Sequence, residues 1–78
     1  MAFYIEMDKV AETEEYVVCT FGRNLEVGLI QLEKNGEAIR VLRECPLDVN
    51  GVWSKRAGMK LARLWKNGSF PDKAQWTS

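Results

Sequence analysis

Val27-Gly28-Leu29-Ile30-Gln31-Leu32-Glu33-Lys34 runs into Asn35-Gly36 and then into Glu37-Ala38-Ile39-Arg40-Val41-Leu42-Arg43-Glu44-Cys45. Asn-Gly between two apolar runs marks a tight hairpin, because a type I′ turn needs positive φ at both central residues. With Asn35 and Gly36 as the loop residues, Lys34 faces Glu37, Leu32 faces Ile39, Ile30 faces Val41 and Gly28 faces Arg43. Successive side chains point to opposite faces of a strand. Ile30, Leu32, Ile39 and Val41 therefore share one face, expected to be the core. Leu29, Gln31, Glu33, Ala38, Arg40 and Leu42 share the other. A one-residue slip would exchange the faces, so the register is well specified.

Tyr16-Val17-Val18-Cys19-Thr20-Phe21 is β-branched and aromatic and reads as a central strand. Taking Arg23-Asn24 as the next loop pairs Phe21 with Glu26, Cys19 with Gly28 and Val17 with Ile30. Val17, Cys19 and Phe21 then join the core face already set by the Asn35-Gly36 hairpin. Two turns read independently agree on the same face. Before them, Phe3, Ile5 and Met7 alternate with Tyr4, Glu6 and Asp8, a short period-two strand. Lys9 to Glu15 is polar, with an acidic knot of Glu12, Glu14 and Glu15, and reads as a solvated connection. It lacks the spaced Asp/Asn oxygens and turn glycine of a hard-cation site.

Pro46 cannot donate to a ladder and ends the fourth strand. Asp48 and Asn50 then offer caps for one helix, roughly Val52 to Asn67. Trp53, Ala57, Leu61, Leu64 and Trp65 recur at spacings of three and four, which sets them on one side of a helical wheel. Lys55, Arg56, Lys60, Arg63 and Lys66 take the opposite side, around Met59. Gly68 fits the left-handed position after a helix C-terminus, and lysines in the last turn complement the dipole. The tail after it has no period, but Phe70 and Trp76 are too apolar for a plain disordered tail, and one or both should fold back on the domain edge.

The fold expected from these readings is α+β. It is a four-stranded antiparallel β-meander in order 1-2-3-4, with one C-terminal amphipathic helix packed on one face. Its strands cover about 2–8, 15–22, 25–34 and 37–45, its helix about 52–67, and its tail 68–78. The core face comprises Phe3, Ile5, Val17, Cys19, Phe21, Ile30, Leu32, Ile39 and Val41.

Seventy-eight residues make a single small domain, in which each buried aromatic matters. A hydrophobic content of 46% with 28% charged residues is ordinary for a soluble globular chain. No run of ~18 apolar residues is present to span a bilayer, and the apolar side of the helix is needed for the core, so no membrane partner is expected. The start, Met1 to Lys9, carries acids where a signal peptide needs a long apolar segment. A cytoplasmic protein is expected. Cys19 and Cys45 fall on strands two places apart, ~9.6 Å at ~4.8 Å per step, beyond the usual Cα–Cα limit of ~7 Å for a disulfide. Both are expected reduced, Cys19 in the core and Cys45 partly exposed at a strand end.

The chain has no histidine. This removes the commonest general base, the usual zinc ligand and every Ser-His or Cys-His nucleophile arrangement. The six glycines are scattered singly, so no phosphate-cradling loop is formed. No catalytic, cofactor-binding or metal-binding residues are assigned, no cofactor is expected, and the chain reads as non-enzymatic.

Two surfaces carry a functional reading. The outer sheet face brings together Tyr4, Tyr16, Val18, Val27, Leu29 and Leu42, much apolar surface for a sheet with a helix on one side only. It is the first-choice interface, for another protein or for a second copy in a homodimer, unless Arg40, Gln31, Thr20 and the tail aromatics break the patch up. The second surface is the basic helix face. Residues 1–54 hold ten acids and five bases, and residues 55–78 hold six bases and one acid. Five cations on one helical face suit phosphates, hence nucleic acid. Against this, a helix covering a sheet needs a solvated outer face in any case, and the chain's pI is near 6.2, where dedicated nucleic-acid binders exceed ~9. Met59 among these cations is a partner anchor, a residue covered by the tail, or a lone exposed apolar side chain.

Overall fold

The computed structural model describes residues 4–23, 25–36, 38–48 and 50–77, and for 76 and 77 the backbone alone. It is an antiparallel sheet with one C-terminal helix on one face. The elements are β1 (Tyr4–Glu12), β2 (Tyr16–Arg23), β3 (Glu26–Glu33), β4 (Ala38–Arg43), α1 (Val52–Lys66) and β5 (Lys73–Thr77). The strand order is β4-β3-β2-β1-β5. The expected meander is present, and the tail adds a fifth strand beyond it. That strand pairs Tyr4 with Thr77, Ile5 with Trp76 and Asp8 with Lys73.

The β3–β4 hairpin has the register its turn dictates. Leu32 faces Ile39 and Ile30 faces Val41, and Gly36 supplies the positive φ that other residues adopt at a steric cost. Below Ile30 the ladder shifts by one, so Arg43 faces Leu29 and not Gly28. Glu37 lies outside the described residues, as does Asn24 in the preceding turn.

The β2–β3 register differs by two residues from the one read off Arg23-Asn24. Arg23 pairs with Glu26, Phe21 with Gly28, Cys19 with Ile30 and Val17 with Leu32. A two-residue shift leaves every side chain on its own face, so the core face survives the change of partner. The bulky Phe21 ring lies opposite the residue that has no side chain.

β1 runs on to Glu12, past the point where alternation stops. A register shift between Lys9 and Ala11 marks a bulge, which inserts an extra residue and interrupts the period. Its turn is built by Thr13, whose Oγ1 accepts the amides of Glu15 and Tyr16 at 3.1 and 3.2 Å.

The core consists of Ile5, Met7, Val17, Cys19, Phe21, Ile30, Leu32, Cys45, Ala57, Leu61 and Phe70, with Trp53, Leu64, Trp65 and Ala74 packed around it. Phe3 lies outside the described residues. Ile39 and Val41 are not buried as expected: each is 40% exposed. The helix lies over β3, β2, β1 and β5 and meets the edge strand at Ile39. There the Ile39 Cγ2 would stand 3.1 Å from a Cβ added to Gly58. The outer half of the β4 inner face is left open.

Asp48 caps the helix from outside its first turn. Its two carboxylate oxygens accept the amides of Trp53 and Ser54 at 3.2 and 3.1 Å. This satisfies two of the four donors a helix start leaves unpaired and sets a negative charge against the dipole. At the far end the Gly68 amide donates to the Trp65 carbonyl at 3.0 Å, with Gly68 at φ +90°. The chain then reverses so that Phe70 stacks on Trp65, ring centroids 5.8 Å apart and planes within 8°.

Candidate interaction surfaces

The β4 edge is where exposed apolar side chains gather. Ile39 and Val41 lie open on the helix side and Leu42, 47% exposed, on the outer side. The strand order leaves β4 with a neighbour on one side only, so alternate backbone N–H and C=O groups face outward, a template for a further strand. Arg40 and Arg43 are the cations of this strand. Arg40 reaches Glu33 on the outer face at 3.7 Å, an exposed pair of small energetic weight.

The middle of the outer sheet face is less available than expected. Val18 is only 9% exposed, seated in the central strand between Ala11 on β1 and Gln31 on β3. Tyr16, Val27 and Leu29 are half-buried. Tyr4 is exposed, but its hydroxyl donates to Gln75 Oε1 at 2.8 Å and its ring lies 5.9 Å below the Arg23 guanidinium. Glu6, Asp8, Gln31 and Glu33 interrupt the patch. Of the six residues read as this interface, Leu42 has the largest fraction exposed, and it belongs to the edge.

On the helix, Lys55, Arg63 and Lys66 are exposed and Arg56 and Lys60 half-exposed, with Met59 open among them. No acidic residue occurs anywhere in Val52–Lys66. The predicted basic face is therefore a continuous positive strip on the side of the molecule opposite the outer sheet face.

A fourth cluster had no counterpart in the sequence reading. The β1 bulge turns Lys9 and Glu12 toward the helix side, where Lys34 joins them. Lys34 Nζ donates to Glu12 Oε2 at 2.9 Å and to the Thr13 carbonyl at 2.7 Å, and sits 5.6 Å from the centroids of both Trp65 and Phe70. Lys9 Nζ donates to Glu12 Oε1 at 2.9 Å and to the Phe70 carbonyl at 3.1 Å. The hydrogen bonds from Lys34 and then Lys9 hold the Glu12 carboxyl below its usual range. The bond to Glu12, opposed by partial burial, raises Lys9 above the usual lysine value. Each charged group here is already spent on an internal partner, and the depression beside them stands wide open to solvent. The cluster ties the β1–β2 turn to the helix end and the tail. Its one sequence signal is an aromatic on each side of the Asn67-Gly68 helix stop.

Both cysteines are free and buried. Burial pushes the Cys19 thiol up to about 11. Cys45, expected partly exposed, is only 2% exposed because the chain after β4 folds inward. Its Sγ donates to the Glu26 carbonyl at 3.2 Å. Burial shields both thiols from reagents in solution. Among the described residues no three His, Cys, Asp or Glu side chains gather in a way that would hold a metal ion. No described helix is long and apolar enough to cross a membrane.

No protein-family model, no curated protein and no solved structure matches the chain.

Proposed function

We propose that this chain is a small non-enzymatic protein-interaction module whose working surface is the β4 edge of the sheet. One observation carries the reading: exposed Ile39, Val41 and Leu42 cluster on the strand whose backbone is unpaired on one side. An open strand edge gives affinity through main-chain hydrogen bonds, and flanking apolar side chains give selectivity. Natural edge strands are usually blunted by proline, a bulge or inward charge. β4 has one such device, the bulge between Val41 and Arg43, and still keeps Ile39, Val41 and Leu42 open. The first-choice surface thus shifts from the middle of the outer face to its margin, with Leu42 common to both. Two free buried thiols support a reducing compartment, and we infer a cytoplasmic protein on that ground.

The test is affinity capture from host lysate with the wild-type chain and with the double variant Val41→Lys, Leu42→Glu, each with and without nuclease. The reading expects a protein, this chain itself included, that survives nuclease and is lost with the variant. Capture unchanged by the variant would overturn it.

A second reading is favoured by one specific observation. The fifteen-residue helix carries five cations and no acid, which supports binding to phosphates of a nucleic acid. That reading expects capture that is abolished by nuclease and falls steeply with salt. It also expects loss on combining Lys60→Glu with Arg63→Glu.

A further inference from the structure

We infer that the basic strip of α1 is a docking surface for duplex DNA, held through its phosphates without reading its sequence. The inference rests on the phosphate reading of that helix and names the polymer. At ~100° per residue, Lys55, Arg56, Lys60, Arg63 and Lys66 fall within an arc of ~140°. That arc is centred almost opposite the buried Ala57, Gly58 and Leu61. From Lys55 to Lys66 it runs ~16 Å along the helix axis. Duplex DNA carries one phosphate charge per ~1.7 Å, so this span presents more phosphates than the strip has cations. The lysines of the chain fall into two sets. Outside the helix, Lys9, Lys34 and Lys73 each hold a carboxylate at 2.9–3.2 Å. Within it, Lys55, Lys60 and Lys66 have no carboxylate partner among the described residues. A merely solvated face ordinarily mixes both signs of charge, and this helix has no acid.

Outside α1 the chain holds eleven acids and six bases, a balance of −5, against +5 on the helix. Glu6, Asp8 and Glu33 lie on the outer sheet face, with sheet and helix between them and the strip. The helix alone is ~10 Å across, more than the Debye length of ~8 Å at physiological salt. Those acids therefore do not cancel the strip, and they turn the molecule helix-first toward a polyanion. Single strands are held by stacking bases on aromatic side chains. The arc has none, because Trp53 and Trp65 pack against the core. Without stacking, affinity follows charge density, which is higher on the duplex: the salt slope per contact is about −0.9, against about −0.7 for single strands. Duplex RNA is gripped by contacts spread over ~16 base pairs, well beyond the reach of a ~16 Å strip. A lipid surface takes up the apolar face of an interfacial helix, and here that face lies on the sheet. Base reading is not expected either. α1 contains no Asn or Gln to pair with adenine, and Arg56 and Arg63 already have partners within the fold.

The experiment is fluorescence anisotropy of the full chain against four labelled probes. They are a short mixed-sequence DNA duplex, one of its strands alone, the RNA duplex of the same sequence, and phosphatidylserine vesicles. The DNA duplex should bind tightest, and a second duplex of unrelated sequence should bind equally well. Affinity should fall about 40- to 500-fold between about 50 and 200 mM salt, as three to five phosphate contacts require. Each of Lys55→Gln, Lys60→Gln and Lys66→Gln should reduce the salt slope by about one. The triple variant should lose the duplex with an unchanged circular dichroism spectrum, whereas Lys73→Gln should bind as wild type does. The single variants decide the matter even if the triple variant fails to fold. Tighter binding of the single strand or the RNA duplex, reduced by the lysine variants, overturns duplex DNA and leaves the phosphate reading standing. A strong preference between the two DNA sequences overturns the sequence-independent mode. Binding to vesicles alone, binding unmoved by the lysine variants, or no binding to any probe overturns both.

Discussion

Gly28 stands directly across from Phe21, and the space between them is closed. A Cβ on Gly28 would lie 2.8 Å from the Phe21 ring, 2.4 Å from the Arg43 carbonyl oxygen and 2.7 Å from the Cys45 amide nitrogen. Two of these neighbours are backbone, so the ring cannot simply turn aside to make room. Gly28→Ala should destabilise the fold by about 1–3 kcal/mol, the usual cost of overpacking a core. Urea unfolding checks this, and a variant as stable as wild type would contradict the β2–β3 register.

Leu61 is wholly buried between helix and sheet. Leu61→Ala should cost about 2–5 kcal/mol, a large share of the stability of so small a domain. Leu61→Asp should leave the chain unfolded by circular dichroism. A folded aspartate variant would be incompatible with the helix-on-sheet arrangement.

Glu12 links acid stability to the Lys34 cluster. Its folded carboxyl is held below the unfolded value near 4.5 by hydrogen bonds from Lys34 and then Lys9. The stabilisation is therefore present above that value and is lost as pH falls through the lower folded value. Lys9 has the opposite sign. Its raised folded value makes its contribution complete below 10.5 and lost as pH climbs past it. Glu12→Gln should flatten the fall in stability as pH drops below 4.5. An unchanged acid limb would show that the cluster does not bear on folding.

Thiol labelling reports on the same core. Cys19, raised to about 11 by burial, and the buried Cys45 should react with a disulfide reagent at pH 8 only as fast as the domain opens. Denaturant should release both at once. Rapid labelling of Cys45 in the native state would mean that the segment after β4 is not folded inward.

The parts of this molecule that could be read from sequence are those set by local chemistry. Asn35-Gly36 admits one tight turn, so the β3–β4 register followed from it. The β2–β3 turn carries no such constraint. Its loop was misread by one residue and the register therefore by two, yet Val17, Cys19 and Phe21 stayed on the core face because the strand period is two. β5 left no mark, since Lys73-Ala74-Gln75-Trp76-Thr77 is too short and polar to show alternation. It exists by pairing with β1, a partner more than sixty residues away. The bulge in β1 erased the period that would have carried that strand to Glu12.

The surfaces were harder to read than the core. Ile39 and Val41 do lie on the face that bears the helix. Their exposure depends on how far the helix extends across the sheet, which heptad-like spacing does not encode. Val18 was misjudged for the converse reason: a central strand shields even its outward side chains with those of its neighbours. The basic face of the helix was legible because it is a property of one element alone.

The measurement closest to the central claim is a set of backbone amide spectra of the isotope-labelled chain, recorded alone through dilution from millimolar concentration and again with the protein captured from lysate. The account predicts shift changes concentrated in Ala38–Arg43, with the residues of β5 and the exposed side of the helix unmoved. Changes centred on Tyr4, Tyr16 and Leu29, or on Lys60 and Arg63, would put the interface elsewhere and contradict it.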